Sequence, residues 1–241
     1  MHTTPRIGVI TPSSNTALEP LTCRLAAEAG CTAHFSRFRV TSISLAQQAL
    51  GQFDDENILA AADMLADAKV DVIAWSGTAA GWRGFDKDER LVERIQQRTG
   101  IPGTTAVLAL NTLLRQQGID AIAVVSPYTG DVQDQIIARY AEAGIRVVHE
   151  KHLGITVNHD FALVMPETLE QLILEAGGAT PRPGAVITYC TNLRAAQLAS
   201  ATEAATGVPL LDTVSTTVWG ALKILGVKPS VVKGWGALFG W

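Results

Sequence analysis

Short, almost wholly apolar runs alternate along this chain with longer stretches in which apolar residues recur every three or four positions. The short runs read as strands at 6–11 (RIGVIT), 32–40 (TAHFSRFRV), 70–75 (VDVIAW), 121–126 (AIAVVS), 146–151 (RVVHEK) and 185–190 (AVITYC), with a brief PLLD at 209–212. Four of them have almost no polar alternation, the pattern of parallel strands covered on both faces. The longer stretches predict helices. Residues 54–68 open on acidic residues suited to a helix N-terminus, and 87–100, 105–118 and 215–226 each stop at glycine. Strand and helix in alternation predict a layered α/β fold.

The pattern also repeats. VITPSSN (9–15) resembles VVSPYTG (124–130) at an offset of 115 residues, and VIAWSGT (72–78) resembles VITYCTN (186–192) at 114. TGIP (99–102) resembles TGVP (206–209) at 107. Three matches in one order predict a duplicated α/β unit. Ligands gather at the carboxyl ends of parallel strands. Two such units facing each other would bring Ser76 and Cys190 to one cleft from opposite sides.

Composition narrows the chemistry. The 241 residues are 47% hydrophobic and 17% charged, with a net charge of −4 and no block of basic residues, so nucleic acid is not an expected partner. No apolar run reaches the roughly 18 residues of a membrane helix. MHTTPRIGVI lacks a basic region followed by a long apolar core, and three cysteines without CxxC spacing suggest neither a disulfide scaffold nor a zinc site. A reducing cytoplasm is expected. His149 and His152 are close in sequence but lie between a strand and a glycine turn, and read as surface residues; no metal is expected.

Each candidate residue has two readings. Cys190 follows a strand and precedes Thr-Asn; it is a reactive thiol or a packed core cysteine. Cys23 and Cys31 read as packing residues. Thr78 is a ligand donor or a turn cap, and Tyr128 a donor or a packed loop aromatic. Ser13, Ser14 and Asn15 form a polar loop that either caps the next helix or binds an anion at its N-terminus. Asn192 is open in the same way, and Asp212 is a lone acid near a strand end.

The order of motifs resembles the aspartate/glutamate racemase superfamily, on the branch holding arylmalonate decarboxylase and maleate cis–trans isomerase. TPSSNT (11–16) is similar to the isomerase's first loop, and SGTAAGWRG (76–84) to the decarboxylase's Gly-Thr loop. TTAVLALNTLL (104–114), SPY (126–128) and LGIT (153–156) fit both. CTN (190–192) is shared with racemases and isomerases, and GWGALF (234–239) resembles the decarboxylase's end. The resemblance implies two pseudo-symmetric lobes, each a parallel four-stranded sheet flanked by helices. The expected division is 1–115 plus 213–241 for the first lobe and 116–212 for the second, with the site between them.

Racemases of this superfamily carry one cysteine per lobe, the isomerase also keeps two, and the decarboxylase keeps the second-lobe one alone. The internal repeat pairs Ser76 with Cys190, whereas comparison with the decarboxylase puts Gly77 at the lost cysteine. Neither is a thiol. A serine hydroxyl is far too weak an acid to replace a thiol of ordinary pKa about 8.5. One acid above a planar carbanion delivers a proton to one face, the last step of a decarboxylation. The resemblance therefore implies a cofactor-independent lyase acting on a 2-substituted malonate or similar small dicarboxylic acid through an enediolate protonated by Cys190. Thr78, Ala79, Tyr128 and Thr191 would bind the substrate, with Asn192, Asn15 and Ser14 as further binding residues. CTN and Asn15 depart from the decarboxylase pattern toward the isomerase, which keeps a maleate-type isomerase or an Asp/Glu-type racemase as the alternative. No cofactor is implied, and a homo-oligomer is left open.

Overall fold

The computed structural model describes residues 4–241, so the first three residues of the expected first lobe lie outside it. Its two sheets are built alike. In the first half β1 (Arg6–Pro12), β2 (Thr32–Phe38), β3 (Val72–Trp75) and β4 (Gly103–Thr105) alternate with helices α1 (Leu18–Glu28), α2 (Gln47–Gly51), α3 (Asp55–Asp67), α4 (Ala80–Arg83), α5 (Phe85–Thr99) and α6 (Ala106–Gln116). In the second, β5 (Ala121–Ser126), β6 (Arg146–His152), β7 (Ala185–Thr188) and β8 (Leu210–Asp212) alternate with α7 (Gly130–Glu142), α8 (Asn158–Phe161), α9 (Pro166–Gly177), α10 (Ala199–Thr206) and α11 (Thr213–Ile224). The sheets run β2-β1-β3-β4 and β6-β5-β7-β8, and every pairing is parallel. The same order in both halves is the three-dimensional counterpart of the sequence repeat.

The apolar runs behave as their pattern predicts. β1 beyond its first residue, and all of β3 and β7, are buried, because helices cover both faces. Helix starts follow local chemistry. Asp54 caps α3 by accepting from Glu56 N, Thr105 caps α6 through Leu108 N, and Asp212 caps α11 through Val214 N and Ser215 N. The α5 helix ends at Gly100 in the left-handed conformation, φ 72°, which glycine adopts without strain.

Several expectations differ from the structure at the edges of elements; the strand expected over 70–75 begins at Val72, and the helix expected over 215–226 runs over Thr213–Ile224. β4 reads GTT and carries no apolar run; pairing with β3 and the Thr105 cap make it a strand. The strand expected over 32–40 ends at Phe38, and the one expected over 185–190 ends at Thr188, where the chain leaves the ladder toward the cleft. His149 and His152 sit on edge strand β6 and bond separately, to Pro181 O and to Glu150. No helix among the described residues is long and apolar enough to cross a membrane. The last long helix, α11, leaves β8 and returns to pack on β3, β4, α1 and α6.

Candidate active site

The carboxyl ends of β1, β3, β5 and β7 open into one small cavity between the two sheets. Gly77, Thr78 and Ala79 line it from the turn after β3, Tyr128 from the turn after β5, and Cys190 and Thr191 from the turn after β7. Pro12, Ile43, Phe53, Trp75, Trp82 and Asn158 complete the lining. No charged side chain is among these residues. The cavity volume is about 20 Å³, close to that of a single water-sized probe.

A strap from each half closes the cavity. Ser42 forms an antiparallel bridge with Val157, Ile43 N donates to Thr156 O at 2.9 Å, and Asn158 N donates to Thr41 O at 3.0 Å. Backbone pairing here lets Ile43 and Asn158, far apart in sequence, share one wall.

Cys190 is 3% exposed and its Sγ accepts from Asn192 N at 3.4 Å. Burial pushes its thiol pKa up to about 12, and the charge of Asp212 adds to the rise; the Tyr128 hydroxyl and the backbone N–H groups of Asn192 and Leu193 pull the other way. Burial wins, so at neutral pH this sulfur is a protonated thiol. Thr78 Oγ1 and the Tyr128 hydroxyl share a hydrogen bond of 2.7 Å. Burial and the neighbouring Cys190 raise the Tyr128 pKa well above its ordinary value, so the phenol stays a donor. Burial also raises Asp212 to about 6, against donors from Thr188 and the α11 N-terminus.

Several residues expected at the site have other partners. Ser76 Oγ turns from the cavity and shares a 3.0 Å hydrogen bond with Thr217 Oγ1 on α11. Gly77, not Ser76, therefore stands on the cavity wall with Cys190. Ser14 Oγ donates to Val40 O at 2.6 Å and accepts from Asn158 Nδ2 at 2.7 Å. Asn15 Oδ1 accepts from Ala17 N and Leu18 N, and Asn192 Oδ1 accepts from Thr16 N and Ala17 N. The two amide oxygens thus take the N–H groups of Thr16, Ala17 and Leu18, on the approach to α1, from both halves. Asn15 Nδ2 donates to Thr191 Oγ1 at 3.3 Å, and Thr191 Oγ1 donates to Ser76 O at 3.1 Å, so the chain of bonds ties the two turns beneath the cavity. Of the three cysteines, Cys190 alone lines the cavity; Cys31 is buried elsewhere and Cys23 is exposed.

Trp75, Trp82, Phe53 and Asn158 line the cavity without having been singled out from the sequence. Trp75 left a signal there as the aromatic ending the apolar run of β3, and Trp82 lies within SGTAAGWRG; Phe53 and Asn158 come from a loop and a short helix whose local pattern says nothing of a site.

The arylmalonate decarboxylase family model matches residues 7–239. The chain belongs to the arylmalonate decarboxylase family. The arylmalonate decarboxylase of Bordetella bronchiseptica is 28% identical over 169 residues, 70% of each chain. A maleate isomerase of Pseudomonas putida is 29% identical over 247 residues, covering 97% of this chain and 96% of its own. Among solved structures, the Nocardia farcinica maleate cis–trans isomerase, as a cysteine-to-serine mutant with a covalently bound succinylcysteine intermediate, superposes with a TM-score of 0.90 at 19% identity, over 98% of each chain. The fold of two parallel four-stranded sheets flanked by helices is thus that of the family. Its relatives are enzymes, one a decarboxylase and others isomerases.

Proposed function

We propose that this protein is a cofactor-independent decarboxylase of a 2-substituted malonate or a similar small dicarboxylic acid. The observation that carries this reading is the asymmetry of the cavity: a protonated thiol at Cys190 on one side and the bare backbone of Gly77 on another. The C–C bond to one carboxylate breaks, CO2 leaves, and the electron pair stays in an enediolate on the retained carboxyl. Cys190 then gives its thiol proton to the carbon, and the thiolate regains a proton from solvent.

Donors aimed at developing charge contribute heavily to such reactions. Thr78 and Tyr128, already 2.7 Å apart, would hold the retained carboxylate between them, joined by the backbone of the Cys190–Thr191 turn. Ala79 would close the same end. The uncharged wall of Ile43, Phe53 and Trp82 suits a departing group that becomes neutral CO2.

A second reading, a maleate-type isomerase or an Asp/Glu-type racemase of a small dicarboxylate, draws on the isomerases among the relatives and on the small cavity. The succinylcysteine of the Nocardia enzyme forms although another of its cysteines is serine, so that chemistry draws on more than one cysteine. Here Cys190 alone of the three cysteines lines the cavity, which disfavours the same route. Incubation with a panel of malonates in heavy water tests the choice. Decarboxylation gives CO2 and one deuterium at the product α-carbon, with both lost in Cys190→Ser. Conversion of maleate to fumarate with no CO2 from any malonate would overturn the reading in favour of the second.

A further inference from the structure

The cavity wall at Gly77 is not open space. A Cβ placed on Gly77 would lie 2.0 Å from Cζ2 of Trp75, 2.4 Å from Cη2 and 2.5 Å from Cε2. The six-membered edge of the indole therefore rests on the glycine backbone, where a side chain at 77 would begin. Trp75 is 1% exposed, and its ring stacks at a tilt of 56° on Phe38, centroids 5.1 Å apart. Phe38 in turn meets Phe53 edge-on at 6.4 Å. The indole is held from behind and is not a free flap.

We propose that Trp75 is the specificity residue of this site, its ring holding the space beside Gly77 against a bulky substituent on the reacting carbon. The cavity beside it holds about 20 Å³. That is less than a malonate itself needs, so the site must widen to take substrate, and the Trp75 ring packed on Phe38 is the part of the wall that resists. The aryl side group that the family's name evokes would have to occupy the volume of the indole ring. The substrate class expected is a malonate, or a comparable short dicarboxylate, whose substituent is smaller than a phenyl ring. This assignment rests on the decarboxylase reading for its substrates, but its binding test does not.

The full chain is prepared as wild type, Trp75→Leu and Trp75→Phe, with folding checked by circular dichroism. CO2 release is measured from methylmalonate and phenylmalonate, and binding of the two product-like acids, propionate and phenylacetate, by calorimetry. A single misfitting carbon group changes discrimination by about 10- to 200-fold. Wild type is expected to favour methylmalonate in kcat/KM by at least about tenfold. Trp75→Leu should shift that ratio toward phenylmalonate by at least about tenfold, with Trp75→Phe between them. Equal ratios in the three proteins would overturn the proposal while leaving the decarboxylase reading intact. If no protein releases CO2, that reading fails and the calorimetry decides. Phenylacetate binding gained in Trp75→Leu alone upholds Trp75 as the filter, whereas equal binding in all three, or in none, overturns it. Should Trp75→Leu not fold, Trp75→Phe carries the same comparison.

Discussion

Placing a thiol on the cavity wall at Gly77 is the most direct way to probe the Trp75 ring, and the geometry says that Gly77→Cys will not be accepted by itself. The new Cβ would meet the Trp75 ring at 2.0 Å. Carbon atoms settle at about 3.5–4.0 Å, so the ring must retreat by roughly 1.5 Å. Behind it stands Phe38, with centroids already 5.1 Å apart. Overpacking of this kind costs about 1–3 kcal/mol, and with a rigid ring on both sides the upper end applies. At about 2–4 °C per kcal/mol for a chain of this size, the melting temperature falls by about 6–12 °C. Trp75→Leu alone loses ring contacts and costs about 2 kcal/mol, less than the full truncation of a buried tryptophan. If the two sites were independent the double variant would lose about 5 kcal/mol. The Cys side chain instead enters the space the ring vacates, so the double variant should lose only about 2–3 kcal/mol, a favourable coupling of about 2 kcal/mol. Urea unfolding of the four proteins, extrapolated linearly to water, measures the cycle. Additivity within about 0.5 kcal/mol, or a Gly77→Cys protein as stable as wild type, would refute the placement of the indole over Gly77.

Other expectations follow from the buried titratable groups and the paired hydroxyls. Asp88 is fully buried and pushed up from 3.8 to about 7 by desolvation, against the Thr105 hydroxyl and the Arg83 charge. The folded state therefore holds its proton where the unfolded state has lost it, and stability falls as pH rises from about 4 to about 7, by up to about 4 kcal/mol. Asp88→Asn should flatten that part of the curve; parallel unfolding curves for the two proteins would contradict it. With the Cys190 thiol pushed up to about 12, alkylation mapped by mass spectrometry should mark exposed Cys23 long before Cys190 at pH 8. Cys190 labelling as fast as that of Cys23 would mean a thiolate and favour the nucleophilic, isomerase-type reading. Tyr128→Phe and Thr78→Val should each lower kcat on the proposed malonate about 10²- to 10³-fold. Because the two hydroxyls bond each other at 2.7 Å, the double variant should lose less than the product of the single losses, and a fully multiplicative loss would argue that they act on different groups.

Much of the architecture was legible because its causes are local. A run such as VIAW is apolar at every position, and only a strand covered on both faces buries all of it. The acidic start at residues 54–56 and the glycines after α5 and α6 mark helix ends by their own backbone and capping chemistry, whereas Asp212, read only as a lone acid near a strand end, is the cap of α11. The repeat of VIAWSGT in VITYCTN placed two turns of like build in two like units, and the structure brings both to one cavity. The exception, β4, has a strand's pairing without a strand's composition, because Gly103–Thr105 draws its order from β3 beside it.

The sequence by itself determined that this chain alternates strand and helix in two related halves, and that Cys190 faces no second thiol from the matching turn. Only the tertiary structure decided which residue of that turn lines the cavity. Ser76 is drawn to Thr217, 141 residues away, which leaves Gly77 on the wall beneath the Trp75 ring. It decided equally which partners Asn15 and Asn192 take: their Oδ1 atoms accept from the N–H groups of residues 16–18 leading into α1, two of these 176 and 175 residues from Asn192. The physical reason is the same in each case. A small polar side chain can bond in any of several directions. Its local sequence sets which atoms it offers, while the burial of a distant partner within about 3 Å sets which direction it takes.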